Sequence, residues 1–262
     1  MLVPHLAGRA LTLRRFPEGV DDTDAAFFEK RCPKHRPEWV NTTRVLAGPH
    51  SGQIDFCVCD DLPTLVWMAQ LAAIELHPSL SLGKKPERPS VLVFDLDPGP
   101  PAEVLDCSRV ALRLREVLGG VGLESFVKTS GSKGLQLYVP LNTPVTYEET
   151  RPFAQAIAQL LAKQTPEQVI AKMGKKTKRK GKVFIDWYQN NERKTTIAIY
   201  SLRARDRPTV STPVTWEELE SALESEDADS LVFEAGEVLD RIEDQGDLFA
   251  PVLGLKQSLP EP

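Results

Sequence analysis

The stretch Val91-Leu92-Val93-Phe94-Asp95-Leu96-Asp97-Pro98-Gly99 constrains this chain more than any other. Four apolar residues in a row, three of them β-branched or aromatic, predict a strand buried on both faces, and Pro98-Gly99 ends it. Side chains alternate along a strand, so Asp95 and Asp97 leave it on one face. Two carboxylates that close repel each other unless a cation lies between them. Hard divalent ions such as Mg²⁺ and Mn²⁺ are held by such oxygen pairs, commonly together with substrate phosphates. Taken alone, the D-x-D is equally compatible with a strand running into an Asp-containing turn.

The 262 residues suffice for one large or two small domains with ample core. No apolar run reaches transmembrane length, and Met1-Leu2-Val3-Pro4-His5 lacks the signal-peptide pattern, so a cytoplasmic location without a membrane partner is expected. Disulfides among Cys32, Cys57, Cys59 and Cys107 are not expected there. The net charge of −5 hides an asymmetry, for residues 211–262 hold 14 acidic and two basic side chains. The other 210 residues then carry 30 basic and 23 acidic groups, a balance compatible with a polyanionic partner. The expected organisation is a core over residues 1–210 and an acidic, helical extension over 211–262 packed on it.

Along the chain, residues 10–16 alternate and predict a strand. Phe27-Phe28 follow, with a basic cluster that includes Lys30, Lys34 and Arg36. One core aromatic beside a solvated loop would explain this run. A lip that stacks bases and binds phosphates would explain it too. Residues 41–59 predict a hairpin turning at Gly48-Pro49 or Ser51-Gly52. Cys57 and Cys59 share a face of its second arm, and Cys32-x-x-His35 lies upstream. These four are zinc-ligating types, but neither spacing matches the common pairs, and packed thiols are expected instead.

Asp61 and Pro63 open an apolar helix that is expected to run to Glu75-Leu76-His77, where Pro78 breaks it. His77 then lies at a helix end, 18 residues before Asp95. Residues 101–118 predict an amphipathic helix. Residues 124–129 and 135–139 predict two strands joined by Ser130-Gly131-Ser132-Lys133-Gly134, whose amides, hydroxyl and ammonium suit a phosphate without forming a Walker loop. Thr146-x-x-Glu149 and Thr215-x-x-Glu218 are capping boxes. Seven of the eleven residues from Lys172 to Lys182 are basic, a solvated loop or an arm along a phosphate backbone, with Lys175, Lys176, Lys178, Arg179 and Lys180 as its contacts. Val183-Phe-Ile-Asp186 predicts a second carboxylate-bearing strand, followed by Gln189 and Asn190, and residues 195–200 a further strand with Arg203 at its exit.

Three carboxylates at strand ends, a Ser/Lys turn, an Arg and a His suit two divalent ions and a triphosphate, and hence in-line nucleotidyl transfer. The segments Phe94-Asp-Leu-Asp-Pro98, Lys128-Thr-Ser-Gly-Ser-Lys-Gly-Leu135, Asp186-Trp-Tyr-Gln-Asn190, Lys194-Thr-Thr196 and Tyr200-Ser-Leu-Arg-Ala204 resemble the polymerase domain of bacterial DNA ligase D, of the archaeo-eukaryotic primase superfamily. The resemblance spans residues 10 to 220. It implies a mixed α/β, primase-polymerase-like catalytic core, with antiparallel and mixed sheets flanked by helices. The implied activity is template-dependent addition of NTPs or dNTPs, with two Mn²⁺ or Mg²⁺ ions, on a primer-template or on gapped and broken DNA ends. The implied setting is break repair at the bacterial nucleoid, by a monomer working with an end-binding protein and a separate ligase.

Matched residue by residue, the resemblance implies that Asp95, Asp97 and Asp186 are the catalytic metal ligands. His77, Ser130, Lys133, Gln136, Gln189 and Arg203 fall on nucleotide-binding positions, and Phe27 and Phe28 on the DNA-binding lip. Two departures stand out. Gln136 replaces the family's His, which removes a group able to carry charge. The family also has a few tens of residues, some holding a 5′-phosphate, ahead of the segment matching residues 1–10. Two other classes compete: a nucleic-acid-binding module with weakened catalysis, suggested by Gln136, and an aspartate-nucleophile phosphatase, disfavoured because Pro98-Gly99 follows the second Asp.

Overall fold

The computed structural model describes residues 1–48, 52–172 and 179–260. Its frame is two sheets. The larger has the order β11-β7-β8-β6-β10-β9, built from β6 (Val91–Pro98), β7 (Phe126–Thr129), β8 (Leu135–Pro140), β9 (Val169–Ile170), β10 (Val183–Asp186) and β11 (Pro213–Val214). The apolar D-x-D strand is thus central, paired antiparallel with β8 on one side and β10 on the other.

The two faces of β6 do different work. Leu92, Phe94 and Leu96 point to one side, at 0% exposure, into the main core. There they meet helices α3 (Val104–Gly120) and α4 (Tyr147–Gln164), whose N-termini are closed by Glu103/Asp106 and Thr146/Glu149 capping boxes. Burying each of these side chains stabilises the fold by about 2 kcal/mol. Val91 and Val93 point to the other side, into a smaller cluster with Leu80, Tyr138, Ile199, Phe249 and Val252. That cluster seals the seam to the second sheet, so Asp95 and Asp97, next along the same face, open at the end of the seam.

The second sheet has β2 (Phe27–Glu29), β1 (Arg9–Arg15), β4 (Gly52–Cys57) and β3 (Thr42–Gly48) in that order, with β5 (Ala73–Leu82) also paired to β1. Helix α1 (Leu2–Leu6) and helix α2 (Leu62–Gln70), capped by Asp61, carry Leu6 and Met68 into its core. Residues 211–262 supply β11, helices α5 (Trp216–Glu224) and α6 (Ala235–Gln245), and a final stretch. The Nε2 of His5 lies 2.8 Å from Asp247, which ties that stretch to the N-terminal helix.

Three expectations are corrected. The helix opened by Asp61 stops at Gln70, and His77 lies within strand β5. Ala72 has φ 56°, which breaks the helix, and beyond it Glu75, His77 and Ser79 alternate against β1. Residues 195–200 do not form a ladder strand. The N–H of Thr196 and of Ala198 donate to the carbonyls of Pro78 and Leu76, but Pro78 has no N–H to return. Finally, Cys32 and Cys57 are joined as a disulfide with their Cα atoms 4.8 Å apart, where packed thiols were expected. The amide of Cys32 donates to Asp55 on β4, which brings the two sulfurs together. Two of the four candidate zinc ligands are thereby consumed. Cys59 is buried, its thiol pushed up to about 12 by burial and by the charges of Asp61 and Asp60.

Candidate active site

Asp95 sits in a cross-strand row. It stands in register with Asp186 on β10 and with Gln136 on β8, and Gln136 in turn stands in register with Lys128 on β7. Cross-strand partners project from the same face, so strand pairing alone brings two carboxylates, an amide and an ammonium into one line. Asp97 joins from two positions further along β6.

Each carboxyl resists ionisation. Asp95 is pushed up to about 7 by burial, then by Asp97 and Asp186, against a 3.1 Å hydrogen bond donated by the Gln136 amide. Asp97 is raised by burial and by Asp186, with Arg179 working the other way. Asp186 is raised by burial, although its Oδ1 accepts from the Tyr188 amide at 3.0 Å and its Oδ2 from Gln189 Nε2 at 3.2 Å. Among the described residues, no group of three His, Cys, Asp or Glu side chains is placed so that it could hold an ion as it stands. Asp186 is held on its own 3-10 turn, while Asp95 and Asp97 remain open to the cavity. Oxygen-only donors that raise one another's pKa are the donor set that fits a hard divalent cation.

A cavity of ≈ 490 Å³ opens over the row. Its wall brings together His77, Asp95, Asp97, Ser130, Lys133, Gln136, Gln189 and Arg203, with Arg179 as well. Ser130 to Gly134 form the β7–β8 turn, closed by Ser130 N–H to the Gly134 carbonyl at 2.8 Å. The Ser130 hydroxyl oxygen accepts from the amides of Ser132 and Gly134 at 3.2 Å each, so its own proton remains free to donate. Gly134 is required by a close approach, since a Cβ there would overlap the Leu96 carbonyl oxygen. The Lys133 side chain is exposed on this turn.

Three residues not singled out from the sequence organise this wall. Glu75, 1% exposed, lies 3.3 Å from both His77 Nε2 and Arg203 Nε. The signal for it was the E-x-H spacing, legible once β5 is read as a strand. Lys128 is wholly buried and donates to the Ser211 hydroxyl; burial brings it down to about 7, although Asp95 favours its charge. Asn190 bonds both the N–H and the carbonyl of Val93, at 2.9 and 2.7 Å, and so pins the turn after Asp186 to β6.

The basic and aromatic candidates divide. Phe27 and Phe28 stand exposed on β2, and the edge of Phe28 meets the His77 ring at 5.5 Å between centroids. Lys30 and Lys34 are exposed and Arg36 half-buried, all outside the cavity wall. Arg179, expected on an outer arm, instead lines the cavity, its guanidinium 3.7 Å from the Phe184 ring centroid. Lys180 is exposed, and Lys175, Lys176 and Lys178 lie outside the described residues.

The family model described as LigD, primase-polymerase domain, matches residues 1–249. The chain is 40% identical over 254 residues to the multifunctional non-homologous end joining protein LigD of Mycolicibacterium smegmatis, covering 96% of this chain and 32% of that protein. It is 35% identical over 246 residues to the bifunctional non-homologous end joining protein LigD of Bacillus subtilis, covering 94% of this chain and 38% of that one. The chain therefore spans about a third of the length of these relatives. Its fold is similar to the polymerase domain of Mycobacterium tuberculosis ligase D in complex with DNA, with a TM-score of 0.87 at 38% identity over 98% of this chain and 88% of the other.

Proposed function

The chain belongs to the LigD primase-polymerase domain family, and from that premise we propose that it is a template-dependent nucleotidyltransferase that adds NTPs or dNTPs to a primer 3′-hydroxyl during DNA end joining or gap filling. The observation that carries this reading is the make-up of the cavity wall, which sets the β6 carboxylates Asp95 and Asp97 beside His77 from β5, Ser130 and Lys133 from the β7–β8 turn, and Arg203. A phosphatase would need a nucleophilic Asp with a free approach, whereas Asp95 is engaged by Gln136 and flanked by two further carboxylates.

In this reading Asp95 and Asp97 on the cavity wall, joined by Asp186 from β10, would hold two divalent ions, Mn²⁺ or Mg²⁺. Such ions, when bound, lower the pKa of an attacking 3′-hydroxyl and neutralise the pyrophosphate that leaves. The protein's own groups do the rest. The Ser130 hydroxyl and Lys133 ammonium receive the outer phosphates, and Arg203 and His77 face the charge that develops as the bond to the leaving group lengthens. Gln189 supports Asp186, and Gln136 orients Asp95 rather than meeting phosphate. Phe27 and Phe28 stack on template bases, while Lys30, Lys34, Arg36, Lys180 and the run containing Lys175, Lys176 and Lys178 follow the DNA backbone. Arg179 offsets charge inside the cavity. An end-binding protein and a separate ligase act on the same ends, and the polymerase works as a monomer in the bacterial cytoplasm, at the nucleoid.

The test is a primer-extension assay comparing NTPs with dNTPs, in Mn²⁺ and in Mg²⁺, on gapped and open templates. Extension that follows the template base supports the reading. Absence of extension under every combination, with DNA still bound, favours the binding-module alternative.

A further inference from the structure

One buried carboxylate reaches groups on two different functional surfaces. Glu75 stands opposite Arg14 in the β1–β5 register, and both its oxygens accept from Arg14 Nη1 at 3.3 Å. Its Oε2 faces His77 Nε2 at 3.3 Å. Its Oε1 faces Arg203 Nε at 3.3 Å and accepts from the Ala204 amide at 3.2 Å. Burial opposes ionisation here, but His77, Arg203 and Arg14 outweigh it and hold Glu75 at about 2, so it is an anion throughout the working range.

The three partners lead in two directions. His77 and Arg203 line the cavity. Arg14 lies under the lip, its guanidinium 5.5 Å from the Phe28 ring centroid, and the Phe28 ring also meets His77 edge-on. Phe28 itself is 58% exposed, which leaves a face free for a base. The lip and the cavity wall therefore share a single anchor.

We propose that Glu75 is a positioning residue that couples the Phe28 lip to the triphosphate wall, so that a primer-template engaged on the lip tightens nucleotide binding in the cavity. This rests on the polymerase reading above. A base stacked on Phe28 fixes Arg14 and His77 against Glu75, and the same carboxylate then holds Arg203 facing the cavity. The ordering of these side chains is complete before the nucleotide arrives. Linkage makes the effect reciprocal, since bound nucleotide must tighten primer-template by the same factor.

The test uses the full chain and no turnover. Affinity for an α,β-methylene NTP is measured in Mn²⁺, with and without a primer-template whose primer ends in a dideoxynucleotide. The wild type should bind nucleotide about tenfold tighter with DNA present. In Glu75→Gln and in Phe28→Leu that ratio should fall to within twofold of one, with primer-template raised until each variant is saturated. Phe28 is exposed, so its variant folds whatever becomes of Glu75→Gln. A merely structural Glu75 would lower Tm and the active fraction but leave the ratio unchanged. A wild-type ratio of one, or a wild-type ratio surviving in either variant, overturns the proposal. Failure of the polymerase reading would appear separately, as no extension by the wild type.

Discussion

Asp95 and Asp186 face each other directly across adjacent antiparallel strands, in register, with Asp97 two residues along from the first. Without a cation this is an unfavourable arrangement, and burial makes it worse. Stability is given up at this point in the fold. We expect Asp95→Asn to raise the stability of the metal-free protein by ~1 kcal/mol, read as a higher Tm. The same variant should lose at least ~100-fold in primer extension while binding primer-template as well as before. A lower Tm would show that the carboxylate is paired rather than repelled.

Gln136 donates to Asp95 and is 3% exposed, so its effect should run through that carboxylate. Gln136→Leu is expected to raise the divalent ion concentration needed for half-maximal extension by ~10-fold. The KM for nucleotide at saturating ion should stay within about twofold of wild type. The reverse pattern, a raised KM with an unchanged ion requirement, would place the amide on the triphosphate instead.

Gly134 abuts the Leu96 carbonyl, where the turn bearing Ser130 and Lys133 meets β6. Gly134→Ala must push these two backbones apart, at a cost of about 3 kcal/mol in urea unfolding. Gly119 has no atom within 4 Å of an added Cβ and lies in the last turn of α3, so Gly119→Ala serves as the unstrained control and should leave stability the same or slightly raised.

Glu75 gives a pH signature. Its folded pKa, about 2, lies below the ordinary glutamate value of 4.5, so the ionised form is the one that folding favours. The contribution is complete above pH 4.5 and is lost as pH falls from there toward 2. We expect ~2 kcal/mol of stability to disappear across that window, after allowing for the partial solvent access of Arg14. Glu75→Gln should flatten the same stretch of a Tm-against-pH curve, and an unchanged slope would refute the assignment.

The sequence was most informative where one local signal sufficed. The apolar run around Asp95, the Thr146 and Thr215 capping boxes and the Ser130–Gly134 turn all lie where their residue types place them. It misled where two signals conflicted. From Leu62 to Leu76 apolar residues continue at helical spacing, and only the backbone at Ala72 shows that the pattern changes to a strand. Glu75 was therefore read as a helix residue, and its role as an anchor for Arg14, His77 and Arg203 was hidden. The place of Lys128 in the row with Asp95 depends on the register of β7, β8 and β6, which no single segment encodes. The disulfide was missed for a similar reason, since the partner of Cys32 is decided by where the hairpin folds back.

The cluster of Leu80, Val91, Val93, Tyr138, Ile199, Phe249 and Val252 has a mechanical consequence. Through Leu80 on β5 it ties the second sheet to Val91, Val93 and Tyr138 of the first, and a close-packed apolar contact of this kind resists parting at that point. Any adjustment beside the cavity then falls first to side chains that stand clear of this packing. The exposed side chains of Phe28 and Lys133 are two of these, whereas the backbone of the Ser130–Gly134 turn is packed against Leu96.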